Sequence, residues 1–343
     1  MSWNAGQVVT LEVQADEDDT RLDRWLKRKF HGLSQIQIEK ALRKGEIRVD
    51  GGRAKSNTRL KAGQSVRVPP MATREEDPDA PRKTAPKVKS EDAEFIRSLV
   101  IYEDDRIIAL NKPPGIAVQG GTGTKRHIDG LTRALVGPEE EKPRLVHRLD
   151  RDTSGVLVLA KSAGVAASLG RLFRSRELEK IYWAVVLGVP NPHDGELRGW
   201  MVKSTGPGED KEKMRAADHG EENAVHAVTL FTTIANAAQR AAWVALKPET
   251  GRTHQLRFHM AEIGCAIVGD RKYTCDRPVP GGLGSGLHLH ARALRLPPFP
   301  GSKKTIEIVA DLPDHMVETF DALGFDQSLG KNPFFALKRV RPR

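Results

Sequence analysis

Residues 144–162 read RLVHRLDRDTSGVLVLAKS, a polar turn over 147–155 running into an apolar, strand-like stretch. Charged and hydroxyl side chains at the lip of a buried strand suit an active-site edge, because the strand holds the loop in place. Three chemistries compete for these residue types. A hydrolase triad could use His147, Asp150 and Ser154, but the Gly-x-Ser-x-Gly elbow is missing and Ser154 lies in a turn-like Thr-Ser-Gly. A metal could be held by His147, Asp150 and Asp152. His254 and His259 are five apart and do not fit His-Glu-x-x-His. The third reading is a lone carboxylate nucleophile, kept ionised by a neighbouring arginine.

The elements that must position this loop begin at about Ala93. Strands are expected over 107–110, 156–160, 182–186, 228–234 and 241–246, and helices over 164–174, 253–263 and 315–323. Strands dominate without regular alternation with helices, so the class is α+β. No internal repeat is present. The segment 71–92 holds Pro78, Pro81 and Pro86, many charges and almost no large apolar side chain, and reads as a flexible linker.

The 343 residues carry a net charge of +10, and the hydrophobic fraction of 38% excludes a wholly disordered chain. Two cysteines exclude a disulfide scaffold and a multi-cysteine zinc module. The longest apolar runs, 155–160 and 184–189, fall far short of a membrane span, so no membrane partner is expected. The first twenty residues contain no Lys or Arg and are acidic, unlike a secretory or mitochondrial leader, which points to the cytoplasm.

The positive charge is concentrated. Residues 20–70 hold 14 Lys and Arg against 4 Asp and Glu, a net of +10. Leu22, Trp25, Leu26 and Phe30 recur at helical spacing; Ser34 with Gln37 makes a capping box, and Gly45 ends the second helix. A hairpin with Asp50-Gly51 at its turn and a strand over 65–68 follow.

This stretch, TRLDRWLKRKF followed by GLSQIQIEKALRKGEIRVDGG and KSNTRLKAGQSVRV, resembles an S4 domain, a small RNA-binding module. Arg21, Arg24, Lys27, Arg28, Lys40, Arg43 and Lys44 are its candidate phosphate contacts. The segment HRLDRDTSG resembles the central motif of RNA pseudouridine synthases acting on ribosomal and transfer RNA. Four further blocks come in that family's order. They are the run from Glu103 through Asn111-Lys112-Pro113-Pro114-Gly115, Lys180-Ile181-Tyr182-Trp183-Ala184, Pro248 through Arg257, and Gly269-Asp270-Arg271-Lys272-Tyr273 with Leu287 through Ala291. The S4-like module and the run 118–123 point to the large-subunit ribosomal subgroup.

The resemblance implies an S4-like (αL) domain over 20–70, after an acidic segment over 1–19. The linker and a synthase domain with a mainly antiparallel central sheet over 93–327 follow, then a basic tail over 328–343. It implies isomerisation of uridine without a cofactor or metal, in 23S ribosomal RNA, with transfer RNA or a non-catalytic ribosome-assembly role as alternatives. Asp150 matches the family's nucleophile, and Arg257 the basic residue paired with it. Tyr182 matches the tyrosine that stacks on uracil, whose phenol is a candidate base for the C5 proton. Arg148 matches the arginine that fills the gap of a flipped nucleotide, and Leu256 the apolar floor. The histidines are read as structural, and the chain as a monomer. The loop within 201–226 departs from the family pattern and leaves fine RNA specificity open.

Overall fold

The apolar positions of the basic window converge on one small core. Leu22, Trp25 and Leu26 of α1 (Leu22–Lys29) and Ile38, Ala41 and Leu42 of α2 (Gln35–Lys44) are buried with Ile47, Leu60, Val66 and Val68. Ser34 Oγ accepts from the Gln37 N–H at 3.3 Å, and Gln37 Oε1 accepts from the Ser34 N–H at 2.9 Å. This is the expected capping box, and Gly45 closes the helix at φ 70. The strands β1 (Val9–Glu12), β2 (Arg48–Val49), β3 (Gly52–Arg53) and β4 (Ser65–Val68) form a sheet ordered β1-β4-β2-β3.

The computed structural model describes residues 7–30, 32–71, 88–121, 124, 126–175, 177–204, 213–300 and 302–334. The chain divides into two units, Met1–Lys87 and Val88–Arg343.

Three expected boundaries change. The acidic segment 1–19 is not separate in its described part, because β1 pairs with β4 and the buried Glu17 accepts from Trp25 Nε1 at 2.8 Å. The linker expected over 71–92 overlaps folded structure at both ends. Met71 is buried in the first core, and residues 72–87 lie outside the described residues. Helix α3 (Ser90–Ser98) already begins at Ser90, anchored by Ile96 and by Asp92 on Arg126 at 2.8 Å. The tail expected from 328 starts inside the fold, with Phe334 buried and Gly330 pressed against Trp183 and Trp243; residues 335–343 lie outside the described residues.

Among its described residues the second unit is built on eleven strands: β5 (Val100–Glu103), β6 (Ile107–Lys112), β7 (Arg144–Leu145), β8 (Ser154–Ala160), β9 (Glu179–Leu187), β10 (Asp194–Lys203), β11 (Met214–Ala217), β12 (Val225–Ala237), β13 (Ala241–Pro248), β14 (Leu289–Leu296) and β15 (Ile306–Val309). The order is β11-β10-β12-β13-β9-β14-β8-β6-β5, with β15 on β14 and β7 on β8. Every pairing is antiparallel except β8 with β14. The α+β class and mainly antiparallel sheet are as expected.

Both faces of the centre are covered. Ala184 and Val186 of β9 pack with Val244 and Leu246 of β13 under Leu256 and Met260 of α6 (Gln255–Glu262). The alternate residues Trp183, Val185, Trp243 and Ala245 meet Met316 and Phe320 of α7 (Asp314–Leu323) on the other side. Two-sided burial explains why β9 and β13 read as continuous apolar runs. On β8, Val156, Val158 and Ala160 face α5 (Ala163–Arg174), while Leu157 and Leu159 face α3 and the short α4 (Ile128–Leu131). Among the described residues, no helix is long and apolar enough to cross a membrane.

Three buried histidines tie these layers together. His259 Nδ1 meets Thr229 Oγ1 at 2.9 Å, His288 Nε2 meets Thr319 Oγ1 at 2.8 Å, and His290 Nδ1 meets Ser154 Oγ at 2.9 Å. Burial pulls all three down to about 4. An unfolded histidine takes up its proton near pH 6.5, so between about 6.5 and 4 the unfolded chain binds more protons than the folded one. Stability is therefore complete above that window and falls as the pH drops through it. The thermal midpoint should decline steeply from pH 6.5 to 4; a flat profile would show that these rings do not stay neutral.

Candidate active site

The turn that precedes β8 is held from below. Lys112, fully buried at the end of β6, donates to the carbonyls of Pro113 at 2.8 Å, Arg151 at 2.9 Å and Ile116 at 3.0 Å. Burial draws its ammonium down to about 7, against the opposing charges of Asp152 and Asp150. The Thr153 N–H closes the turn on the Asp150 carbonyl at 3.2 Å. Gly155 then enters β8 at φ +107, where an added Cβ would lie 2.3 Å from the Ala291 carbonyl oxygen. Only glycine lets the parallel pair of β8 and β14 approach this closely.

His147 fixes the other side of the turn. Its Nε2 accepts from the Val158 N–H at 2.8 Å, and its ring stacks on Phe173 with centroids 4.1 Å apart. Burial, then the Lys180 charge, lowers it to about 3, so it is a neutral structural acceptor.

The turn, β9 and α6 enclose a cavity of about 280 Å³. Asp150, Tyr182, Arg257, Leu256 and Arg148 all line it, together with Lys180, Arg252 and His254. Asp150 is half-buried, Leu256 is buried, and Arg148 is exposed. Burial, then the Asp150 charge, pushes the Tyr182 phenol well above the usual tyrosine range. The S4-like candidates lie in the first unit; Arg24, Lys27, Arg28, Lys40, Arg43 and Lys44 are exposed, whereas Arg21 is half-buried against Asp23 at 2.6 Å.

One expected pairing is corrected. Arg257 does not form a direct ion pair with Asp150; its Nε and Nη2 hold Asp270 at 2.6 and 2.7 Å. Asp270 also accepts from the backbone N–H groups of Lys272 at 2.8 Å and Tyr273 at 3.0 Å. Burial works against the Arg257 charge, but Asp270, with a contribution from Asp150, outweighs it and holds the guanidinium above its ordinary range. Arg257 therefore supplies positive potential to the cavity from a fixed position. The side chain that instead faces Asp150 is His254, with Nε2 3.9 Å from Oδ2.

Gln255, which sequence reasoning passed over, holds the loop before α6. Its Oε1 accepts from Thr250 Oγ1 at 2.7 Å and the Arg252 N–H at 3.1 Å, and its Nε2 donates to the Val228 carbonyl and Thr229 Oγ1 at 2.9 Å each. Lys112, His254, Gln255 and Asp270 were all visible as motif letters; their partners were not. Among the described residues, no group of three His, Cys, Asp or Glu is placed to hold a metal ion.

Comparison with known proteins agrees with this architecture. Residues 106–262 match the RNA pseudouridylate synthase family, and residues 20–66 the S4 domain. The ribosomal large subunit pseudouridine synthase C of Vibrio vulnificus is 33% identical over 92% of this chain and 97% of its own. The mitochondrial RNA pseudouridine synthase 4 of Arabidopsis thaliana is 31% identical over 97% of this chain and 82% of its own. A solved structure, human RNA pseudouridylate synthase domain containing 4, superposes with a TM-score of 0.56 at 30% identity, covering 68% of this chain and 97% of its own. With relatives this similar over nearly their full lengths, and with the motif loop, β9 and α6 converging on one cavity, the chain belongs to the RNA pseudouridine synthases and carries an S4 domain at its amino-terminal end.

Proposed function

We propose that this enzyme isomerises uridine to pseudouridine in structured large-subunit ribosomal RNA, with Asp150 as the nucleophile acting on an everted nucleotide. The observation that carries this reading is the half-buried Asp150 carboxylate in a cavity shared with Tyr182 and ringed by Arg148, Lys180, Arg252 and Arg257. Its volume is just below the ~300–1,000 Å³ of drug-sized ligand pockets, which suits a single nucleoside.

In the isomerisation the N1–C1′ bond breaks, a C5–C1′ bond forms, a proton leaves C5 and N1 gains one. No outside oxidant or energy source enters that balance. The base cannot turn inside a stack, so it must be flipped, at a cost of a few kcal/mol. Arg148, exposed at the rim, is the candidate to fill the gap. The Tyr182 ring is the stacking surface, and Leu256 the apolar floor. With its phenol held protonated, Tyr182 can take the C5 proton only by passing on its own. Arg257 adds positive potential beside the Asp150 carboxylate.

The 23S assignment is supported by similarity to synthases named for the ribosomal large subunit over 92% of this chain. Carbodiimide mapping of pseudouridines in total RNA, with and without the gene, tests it. Loss of discrete sites in large-subunit ribosomal RNA is expected. Sites lost only from transfer RNA would move the substrate, and no lost site would overturn the enzyme reading.

The first unit, with its S4 domain, serves as a phosphate grip, and the second unit as the catalytic domain. Neutralising Arg24, Lys27, Lys40 and Arg43 together should weaken RNA binding at low salt. It should also flatten the salt dependence by about 0.7–0.9 in slope per phosphate contact removed. Turnover at saturating RNA should not change. An unchanged salt slope would place the phosphate contacts elsewhere.

A further inference from the structure

The histidine nearest the reacting carboxylate is built to orient it. His254 precedes α6 at φ 54 and ψ 15, left-handed backbone that a non-glycine residue rarely adopts. Strain of this kind persists mostly where surrounding structure enforces it, often at active sites. Its Nε2 faces Asp150 Oδ2 at 3.9 Å, and its Nδ1 lies 3.0 Å from Tyr273 Oη.

Tyr273 decides which ring nitrogen carries the proton. Its oxygen accepts from the Met214 N–H of β11 at 2.7 Å. Tyr273 is buried, and among the described residues His254 Nδ1 is the acceptor within reach of its hydroxyl proton. Burial pushes the phenol up to about 12, so that proton is present at neutral pH. A hydroxyl donating to Nδ1 leaves the imidazole proton on Nε2, toward the carboxylate. Burial, outweighing the Asp150 charge and helped by Arg257 and Lys272, keeps the ring neutral.

We propose that His254 is a positioning residue for Asp150, held by Tyr273 in the tautomer whose Nε2–H faces the carboxylate. The proposal rests on Asp150 being the nucleophile. Arg257 makes no hydrogen bond to that carboxylate in this structure; its Nε and Nη2 hold Asp270. His254 is the side chain whose ring nitrogen faces Asp150 among the described residues, and it can tie Oδ2 while the other oxygen serves the substrate. A separation of 3.9 Å is longer than a hydrogen bond; catalytic contacts often tighten only once the reacting complex forms. Fixing one carboxylate rotamer in advance contributes through orientation. The Tyr273 ring also lies under the Arg257 guanidinium, 5.3 Å from centroid to Cζ, so one side chain braces both partners of the cavity.

The test uses the full chain labelled with 15N-histidine, with the His254 resonances assigned by their absence in His254→Gly. The wild type should show the Nε2–H tautomer, and Tyr273→Phe a mixture or the Nδ1–H form. With RNA carrying 5-tritiated uridine, Tyr273→Phe should lower kcat about tenfold with KM within about twofold. His254→Gly should lower kcat about a hundredfold. Glycine relieves the backbone strain, so its unfolding midpoint should not fall on that account, and this arm stands even if Tyr273→Phe folds poorly. An Nδ1–H tautomer in the wild type, or wild-type kcat in His254→Gly, would overturn the proposal. A wild type that releases no tritium would remove the nucleophile reading and this role with it. An active wild type indifferent to His254 would remove this role alone.

Discussion

Asp150→Asn should bind RNA like the wild type and release no tritium from RNA carrying 5-tritiated uridine. The substitution keeps the side chain's size and replaces a charged oxygen with a neutral amide, which is a poor nucleophile. Folding should be indifferent to it. The carboxylate is half-buried, and among the described residues it accepts no hydrogen bond and meets only His254 at 3.9 Å. The loss should reach at least about 10⁴-fold, the scale seen when a nucleophile is removed from an otherwise intact site. Filter binding at fixed salt separates affinity from chemistry. Equal tritium release by mutant and wild type would end the assignment of Asp150; equal inactivity of both on deproteinised pre-ribosomal RNA would weaken the enzyme reading as a whole.

Asp270→Ala should be the most damaging single change to stability near the cavity. It strands Arg257, only 5% exposed, without its bidentate partner, and frees two backbone N–H groups. Breaking a buried pair from one side costs about 3–5 kcal/mol, because a desolvated charge is left uncompensated. For the same reason Arg257→Ala cannot be a clean catalytic probe; it leaves Asp270 buried and alone. The double variant Arg257→Met, Asp270→Leu removes both charges, and much of the lost stability should return. Turnover should not return, since the positive potential beside Asp150 is gone. Urea unfolding of the three proteins with tritium release from each checks both halves. A stable Asp270→Ala would show that the pair does not hold α6 in place. Restored turnover in the double variant would show that the Arg257 charge is dispensable.

Much of the fold follows local rules and was legible. The limits of α2 follow from Ser34, Gln37 and Gly45, which act within one turn of the chain. Strands β6, β8, β9, β12 and β13 carry dense apolar runs and were expected within a few residues. Others were not. β10 is amphipathic at an outer position, with a mostly exposed or half-buried pattern, and β14 begins within LHLHA, residues 287–291, where histidines interrupt the apolar signal. Those histidines are buried because Thr319 and Ser154 reach them from distant segments. Helix α3 was missed because its single fully buried side chain, Ile96, follows a charged, proline-rich stretch that dominates the local composition.

The sequence by itself determined the α+β class, the small basic module ahead of a larger domain, and the five ordered blocks that carry the family. It also picked out the side chains that meet at the cavity, because each sits in a motif of short span. Which of them touch was decided only by the tertiary structure. Arg257 and Asp270 are thirteen residues apart and joined by a loop, while Asp150 and His254 come from segments more than a hundred residues apart. Sheet order brings these segments together: β8 lies beside β14, and β14 beside β9, an arrangement set by burial of both sheet faces. Local spacing carries no record of it, so the arginine expected on Asp150 sits on Asp270, and a histidine read as structural faces the carboxylate.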